Sequence, residues 1–227
     1  MKIAIIGAMD EEVALMSNRL EDKTVIEKQD YKFELGKINN HDIILTVSSI
    51  GCVATGMLMG VLFQLFDGID KVINIGVAGG VFGKVQPGDV VLSEKLSYSG
   101  ADARGFGYQY GQIPRCPKEY YGDKELIEKV SLDVKKGMIL TSDVFQVDKN
   151  SVDKIIEEHF KEEDVMCFDM ESTAFAQCSY KYNVGFLAIR AISDVIGVED
   201  QTKKYENTLE LACEKADKVL MEILYKF

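Results

Sequence analysis

The chain has 227 residues, 47% hydrophobic and 28% charged, which is enough apolar material for one core in a single domain spanning residues 1–227. A formal net charge of −11, without a Lys/Arg cluster, argues against a nucleic-acid partner. No run approaches the roughly 20 apolar residues of a membrane span, so no membrane partner is expected. Residues 1–7 are typical of a strand rather than a signal peptide, and we expect a cytoplasmic protein.

Apolar runs alternate with helical patterns along the chain. Continuous apolar runs indicate strands buried on both faces, as in a mostly parallel sheet covered by helices. Such strands are predicted at residues 3–6, 43–47, 72–75, 90–92, 165–168 and 186–192. Helices are predicted around Val13, Met16 and Leu20 and at residues 51–66, 151–160, 170–182 and 205–227. The alternation predicts an α/β fold, with residues 31–35 as an antiparallel excursion near one edge.

Residues 97–121 interrupt this alternation. They are rich in Gly and Tyr and have no clean period. A loop of this length in a compact domain is usually functional or held by a partner. The alternative is a surface excursion held by its own aromatic side chains, and the sequence leaves both open.

Cysteine and histidine give little support for metal or nucleophilic chemistry. The five cysteines are widely spaced, with no C-x-x-C pair, so neither a metal site nor a disulfide framework is predicted. The two histidines, His41 and His159, are far apart in sequence and lie in polar surroundings. Acid–base chemistry would therefore fall to carboxylates.

Polar residues or glycines follow four predicted strands at their carboxyl ends, where ligands bind in open α/β sheets. These segments are Asp-Glu-Glu at 10–12, Gly-Val-Ala-Gly-Gly at 76–80, Asp-Met-Glu at 169–171, and Ser-Asp at 193–194. We predict a crevice lined by carboxylates and accessible backbone. The glycine turn alone is weak evidence, because it has neither P-loop nor dinucleotide-binding spacing.

Each acidic segment also has a purely structural interpretation. Asp10 and Glu11 suit a helix N-terminus, where acids complement the macrodipole. Glu12 lies beside the apolar stripe of its helix, but periodicity cannot select it over Asp10. Ser193 and Asp194 could simply cap a turn.

Glu171 is more informative. Ala174, Phe175 and Cys178 follow it at i+3, i+4 and i+7, which predicts its carboxylate on the apolar face of a helix. A buried carboxylate needs a partner or a ligand. Arg190, in an otherwise apolar strand, could be that partner, and a structural ion pair is the alternative to a functional site.

Several motifs, in this order and at these intervals, carry a family resemblance. They are IAIIGAMDEEV, NIGVAGG, FGYQYGQIPRCP, DMESTA and RAISDV. Together they resemble the 5′-methylthioadenosine/S-adenosylhomocysteine nucleosidases of the nucleoside phosphorylase superfamily, essentially from end to end. The resemblance implies a single α/β domain with a central mixed, partly barrel-like sheet flanked by helices, which works as a homodimer without a metal or organic cofactor.

The implied reaction hydrolyses the N-glycosidic bond of an adenosine thioether, releasing adenine. By the resemblance, Glu12 is the general base that activates water, and Asp194 is the acid that protonates adenine N7. Met170 and Glu171 form the floor under the ribose, with Glu171 accepting hydrogen bonds from sugar hydroxyls. Such a reaction passes through an oxocarbenium-like state, which fixed negative charge stabilises.

The resemblance also implies the substrate contacts. Phe145 would stack on adenine, and the Gln146 backbone would bond the purine edge. Other contacts within the chain are expected at Met9, Ile50, Val77, Gly79, Phe106, Arg190, Ser193 and Tyr205. Pro114 would reach over from the neighbouring subunit. For Met9, Ile50 and Phe106, ordinary core packing is the alternative.

Two residues depart from the family pattern. Val77 replaces a frequent serine in the glycine turn, and Tyr205 replaces a phenylalanine, which would make the 5′ pocket slightly more polar. The related phosphorylases hold phosphate in this region with the help of an arginine after the first strand. Here the corresponding turn is acidic and residue 77 is apolar, which favours water over phosphate as the nucleophile.

Three alternatives to this hydrolase are a phosphate-dependent purine nucleoside phosphorylase, an aminodeoxyfutalosine nucleosidase and a non-catalytic nucleoside-binding module. The phosphorylase would require phosphate for turnover. The futalosine-type enzyme would use the same three carboxylates and differ in its 5′ pocket. The binding module would tolerate loss of Glu12 or Asp194, yet both are present.

Overall fold

The structure, a computed structural model, describes residues 1–227 and contains ten strands and six helices. The strands are β1 Lys2–Gly7, β2 Glu21–Lys28, β3 Tyr31–Ile38, β4 His41–Val47, β5 Lys71–Gly80, β6 Val90–Tyr98, β7 Tyr120–Tyr121, β8 Lys135–Thr141, β9 Val165–Asp169 and β10 Gly185–Val195. The helices are α1 Asp10–Ser17, α2 Cys52–Leu65, α3 Lys124–Glu128, α4 Lys149–His159, α5 Ser172–Tyr182 and α6 Gln201–Lys226. A single 3₁₀ turn, Arg104–Phe106, lies between β6 and β7.

All ten strands form one mixed sheet, part of which closes on itself. β5 pairs in parallel with β10, which pairs antiparallel with β6. β6, β8 and β9 then run parallel in that order, and β9 returns to β5 in an antiparallel pairing. From this closed ring an arm extends through β1, β4, β3 and β2. The prediction of a mixed, partly barrel-like sheet flanked by helices is confirmed.

The central strands are buried on both faces because each serves two hydrophobic cores. In β1, Ile3 and Ile5 join the core beneath α1 and α6, whereas Ala4 and Ile6 join the core beneath α2 and α5. This alternation follows from the two-residue period of a strand. Full burial of each large aliphatic side chain contributes about 1.5–3 kcal/mol, so these short apolar segments are strongly held.

Every predicted strand and helix is present, with shifts at its ends. The excursion at residues 31–35 lies in β3, which pairs antiparallel with β2 and β4. The sequence interpretation missed β2, β7, β8 and α3. β2 is exposed along its whole length, so it carries no apolar signal. Met170 and Glu171 precede α5 instead of beginning it.

The segment between β6 and β7 is a surface excursion held by aromatic contacts. The Tyr110 ring stacks on His159 with centroids 3.7 Å apart, and its hydroxyl donates to the Ser99 carbonyl at 2.6 Å. These contacts match one of the two interpretations that the sequence left open. None of the helices is both long and apolar enough to cross a membrane.

Candidate active site

Seven chain segments meet around one cavity of about 310 Å³, of which four contain the acidic and glycine-rich segments that the sequence singled out and three are the β4–α2 turn, the β8–α4 connection and the start of α6. The four are the β1–α1 turn, the glycine-rich end of β5, the β9–α5 connection and the end of β10. The sequence-predicted residues that line it are Met9, Glu12, Ile50, Val77, Gly79, Phe145, Gln146, Met170, Glu171, Ser193, Asp194 and Tyr205. Closure of the ring brings these segments together, although β9 runs antiparallel to β5.

Glu12 is held in the cavity wall by three backbone N–H groups. Its Oε2 accepts from the N–H groups of Ala8 at 2.6 Å and Met9 at 3.1 Å, and its Oε1 accepts from Val77 at 3.1 Å. A Cβ on Gly76 would lie 2.5 Å from Oε1, so this approach requires glycine. Glu12 is buried, whereas Asp10 is exposed. The tertiary structure thus separates two carboxylates that periodicity could not.

Burial and charge act on Glu12 in opposite directions. Removal from water raises the pKa of the carboxyl, while the positive charge of Arg190 and the three N–H donors lower it. Burial prevails, and the pKa of Glu12 lies above its ordinary value. A general base works best with a pKa near the working pH, so this environment suits proton abstraction from water.

A β-bulge places Asp194. Along the β10–β5 ladder, Ile192 pairs with Ala78 and Asp194 pairs with Gly79, leaving Ser193 as the extra residue. The buried Asp194 carboxyl accepts from the Ser193 hydroxyl at 2.6 Å and from the Gln201 amide at 2.7 Å. Burial raises the pKa of Asp194, and these two hydrogen bonds offset part of the rise. A carboxyl so placed holds a proton more readily than an exposed one, as an acid must.

Glu171 reaches the cavity in a way that the sequence did not predict. It is the residue before α5, so the expected position on the apolar face of that helix is wrong. Its Oε1 accepts from the Gly51 N–H at 2.9 Å. Burial and the neighbouring Asp169 charge raise the pKa of Glu171 to about 7, against the lowering effects of Arg190 and the Gly51 N–H.

Arg190 lies behind the carboxylates and does not line the cavity. Its Nε donates to Asp169 at 2.8 Å, whereas its nearest contact to Glu171 is 3.9 Å. Arg190 therefore pairs mainly with Asp169, and its predicted pairing with Glu171 is secondary. Because Arg190 does not line the cavity, the expected direct contact of Arg190 with the substrate is not supported. A buried guanidinium needs such partners, because removal from water is costly.

An aromatic pair forms another part of the wall. Phe145 and Tyr205 meet edge to face with ring centroids 5.9 Å apart, and the Tyr205 hydroxyl lies 3.7 Å from the Met9 sulfur. Phe106 and Pro114 are exposed on the excursion between β6 and β7 and do not line this cavity. The structure of one chain therefore does not bring these two predicted contacts to the site.

Several wall residues escaped the sequence interpretation. Thr202 and Glu206 line the cavity from the first turns of α6, and the neighbouring Gln201 bonds Asp194. Polar residues at the start of a helix look like an ordinary solvated turn, so no sequence signal was available for them. Of the residues that line the cavity, five are Asp or Glu and none is Lys or Arg.

The comparison with family models places the chain in a class. A ring of strands with an open arm, and a carboxylate-lined cavity at the strand ends, are typical of α/β proteins that bind small molecules at the ends of their strands. Residues 2–225 match the model of the phosphorylase superfamily.

Relatives and solved structures narrow the class. A 5′-methylthioadenosine/S-adenosylhomocysteine nucleosidase of Haemophilus influenzae is 38% identical, with 99% of each chain covered. One from Bacillus cytotoxicus is 35% identical over 99% of this chain and 98% of the relative. The S. pneumoniae nucleosidase, solved with the transition-state inhibitor MT-ImmA, superposes with a TM-score of 0.92 at 31% identity, covering 99% of both chains. This chain belongs to the 5′-methylthioadenosine/S-adenosylhomocysteine nucleosidase family.

Proposed function

We propose that this chain is a purine nucleosidase that hydrolyses 5′-methylthioadenosine and S-adenosylhomocysteine to adenine plus 5-methylthioribose or S-ribosylhomocysteine. We expect 5′-deoxyadenosine to be cleaved as well, and we treat residues 1–227 as one catalytic domain. One observation carries the proposal: Glu12, Glu171 and Asp194, which lie at the ends of three different strands, line a single cavity. Membership of a nucleosidase family supports the reaction.

Each carboxyl group has a distinct role in the proposed reaction. The bond between ribose C1′ and adenine N9 breaks, and a water oxygen forms the new bond to C1′. Glu12 takes the proton of that water, while Asp194 gives its proton to adenine N7, so the base leaves without negative charge. Glu171 accepts hydrogen bonds from the ribose hydroxyls. The surrounding negative charge stabilises the oxocarbenium-like transition state.

The lining of the cavity supports water rather than phosphate as the nucleophile. A phosphate dianion would meet five acidic side chains and no Lys or Arg in the wall. Val77 offers no hydroxyl near Glu12, and its N–H is already donated to the Glu12 carboxylate. Phosphorolysis is therefore disfavoured by charge and by the lack of a free donor at residue 77.

Adenine release tests the proposal. Purified protein is incubated with 5′-methylthioadenosine in phosphate-free buffer and again with added phosphate, with aminodeoxyfutalosine as a parallel substrate. Equal release of adenine in both buffers is expected. Release only with phosphate would identify a phosphorylase, and a strong preference for aminodeoxyfutalosine would reassign the 5′ pocket. Adenine binding without turnover would favour a binding module.

We also propose a homodimer in which the partner completes the 5′ end of the cavity. Phe106 is 88% exposed, and Val53 and Met57 of α2 are 73% and 62% exposed. Large apolar side chains exposed in this way are typical of a surface that a second chain covers. Light scattering coupled to size-exclusion chromatography should give the mass of two chains.

We place the enzyme in the cytoplasm, since five unpaired cysteines suit a reducing compartment.

A further inference from the structure

The side-chain amide of Gln201 joins two acceptors that belong to the cavity wall. Its Nε2 donates to Asp194 Oδ2 at 2.7 Å and to the Gln146 carbonyl at 2.8 Å. Its Oε1 accepts from the Gly197 N–H at 2.9 Å. The reverse amide orientation would place oxygen against two acceptors and NH₂ against a donor, so the partners determine which end carries the nitrogen.

This arrangement matches the hydrogen-bonding chemistry of adenine. Along one edge, adenine carries the exocyclic N6 amine, a planar NH₂ donor, beside the N7 acceptor. A base whose N7 takes a proton from Asp194 brings that amine towards the same carboxyl group. The Gln201 NH₂ has the same planar geometry and two donor hydrogens, and both are already used on Asp194 and Gln146.

Gln201 also begins a helix that contributes to the cavity wall. It is the first residue of α6, and Asp200 before it has a left-handed backbone (φ 58°) with no side-chain cap on the helix. The first turns of α6 contribute Thr202 and Tyr205 to the cavity. A change in Gln201 would therefore be transmitted to residues that face the ligand.

We propose that Gln201 is a latch that, in the free enzyme, occupies the hydrogen-bonding position of the adenine N6 amine and must be displaced when substrate binds. The inference rests on the proposed function, because it assumes that Asp194 reads the N7 edge of adenine. The amino group of a 6-amino purine can donate to both Asp194 and the Gln146 carbonyl, and so replaces both hydrogen bonds of the latch. A 6-oxo purine carries an acceptor at that position, which would face these two acceptors. The two acceptors that the latch covers thus favour adenine over hypoxanthine, whereas the latch itself weakens the binding of either base by the same factor.

Equilibrium binding of adenine to Gln201→Ala and Gln201→Asn tests the latch. Alanine removes the amide, and asparagine is one methylene too short to bridge both acceptors. If two hydrogen bonds close the latch, the apparent Kd for adenine should fall by about 5- to 100-fold in both variants. Calorimetric titration with adenine and with hypoxanthine measures the effect, and Lys203→Gln, on the same turn but 76% exposed, is the matched control.

The outcomes separate this inference from the proposed function. Tighter adenine binding in both variants, with Lys203→Gln unchanged, supports the latch. Unchanged or weaker adenine binding in folded variants would overturn it and make Gln201 a residue that positions Asp194. If one variant fails to fold, the other decides. Wild-type protein that neither binds adenine nor releases it would instead refute the proposed function.

Discussion

Replacing Asp194 by Asn tests the proposed acid while preserving the shape of its site. The Gln201 NH₂ can donate to the new amide oxygen, and the Ser193 hydroxyl can rotate to accept from the new NH₂. No buried polar atom loses its partner, so the penalty of about 1–3 kcal/mol for an unsatisfied group does not arise. What disappears is the proton for adenine N7.

The expected loss in catalysis follows from this single change. General acid catalysis contributes about 10²- to 10⁴-fold, or roughly 2.7–5.5 kcal/mol at 1.36 kcal/mol per tenfold. Steady-state adenine release from 5′-methylthioadenosine should therefore show kcat reduced by about that factor, with KM changed by much less. A kcat within threefold of wild type would refute the acid role of Asp194.

Stability of the same variant has a predicted pH dependence. The folded protein raises the pKa of Asp194 above its unfolded value, so the native state binds more protons, and this carboxyl costs stability as pH rises through that interval. Asn carries no such cost. Thermal unfolding should find Asp194→Asn at least as stable as wild type at pH 7, with the difference vanishing below the unfolded pKa near pH 4. Clear destabilisation at pH 7 would contradict this balance.

Three further variants test other parts of the site. Glu12→Gln should keep adenine binding but lower kcat by about 10²- to 10⁴-fold, because the amide cannot take a proton from water; near-normal turnover would assign the base elsewhere. Gly76→Ala puts a methyl group 2.5 Å from Glu12 Oε1 and should lower kcat by about 10²-fold, because it displaces that carboxylate. An unchanged kcat would mean that the close approach of Glu12 to residue 76 is not required. Because Phe106 does not line the cavity of its own chain, the proposed dimer would place it in the cavity of the partner subunit. Phe106→Ala should then raise KM, and mixing it with Glu12→Gln should restore about a quarter of wild-type sites, because one site of each mixed dimer is intact. No recovery after subunit exchange would argue against a site shared between chains.

Much of the site could be predicted from strand ends, because the carboxyl ends of neighbouring parallel strands lie at one edge of a sheet. That reasoning placed the acidic segments at 10–12, 169–171 and 193–194 near one another, without selecting Glu12 over Asp10. It failed for Arg190, whose preference for Asp169 over Glu171 depends on distances of 2.8 and 3.9 Å that no spacing encodes. It also missed Gln201, since a polar residue that opens a helix has the same pattern whether it faces solvent or a buried carboxylate.

By itself, the sequence determined the α/β alternation and the family, because buried strands leave continuous apolar runs and the motifs recur in order. Only the tertiary structure decided which first-turn acid enters the cavity. Backbone N–H groups from two segments converge on Glu12 and leave Asp10 in solvent. Likewise, the bulge at Ser193 and the closure of β10 onto both β5 and β6 arise from pairing between strands distant in sequence. The local sequence pattern indicates which side chains are buried, whereas the position of a charged group within a site depends on contacts made across the whole fold.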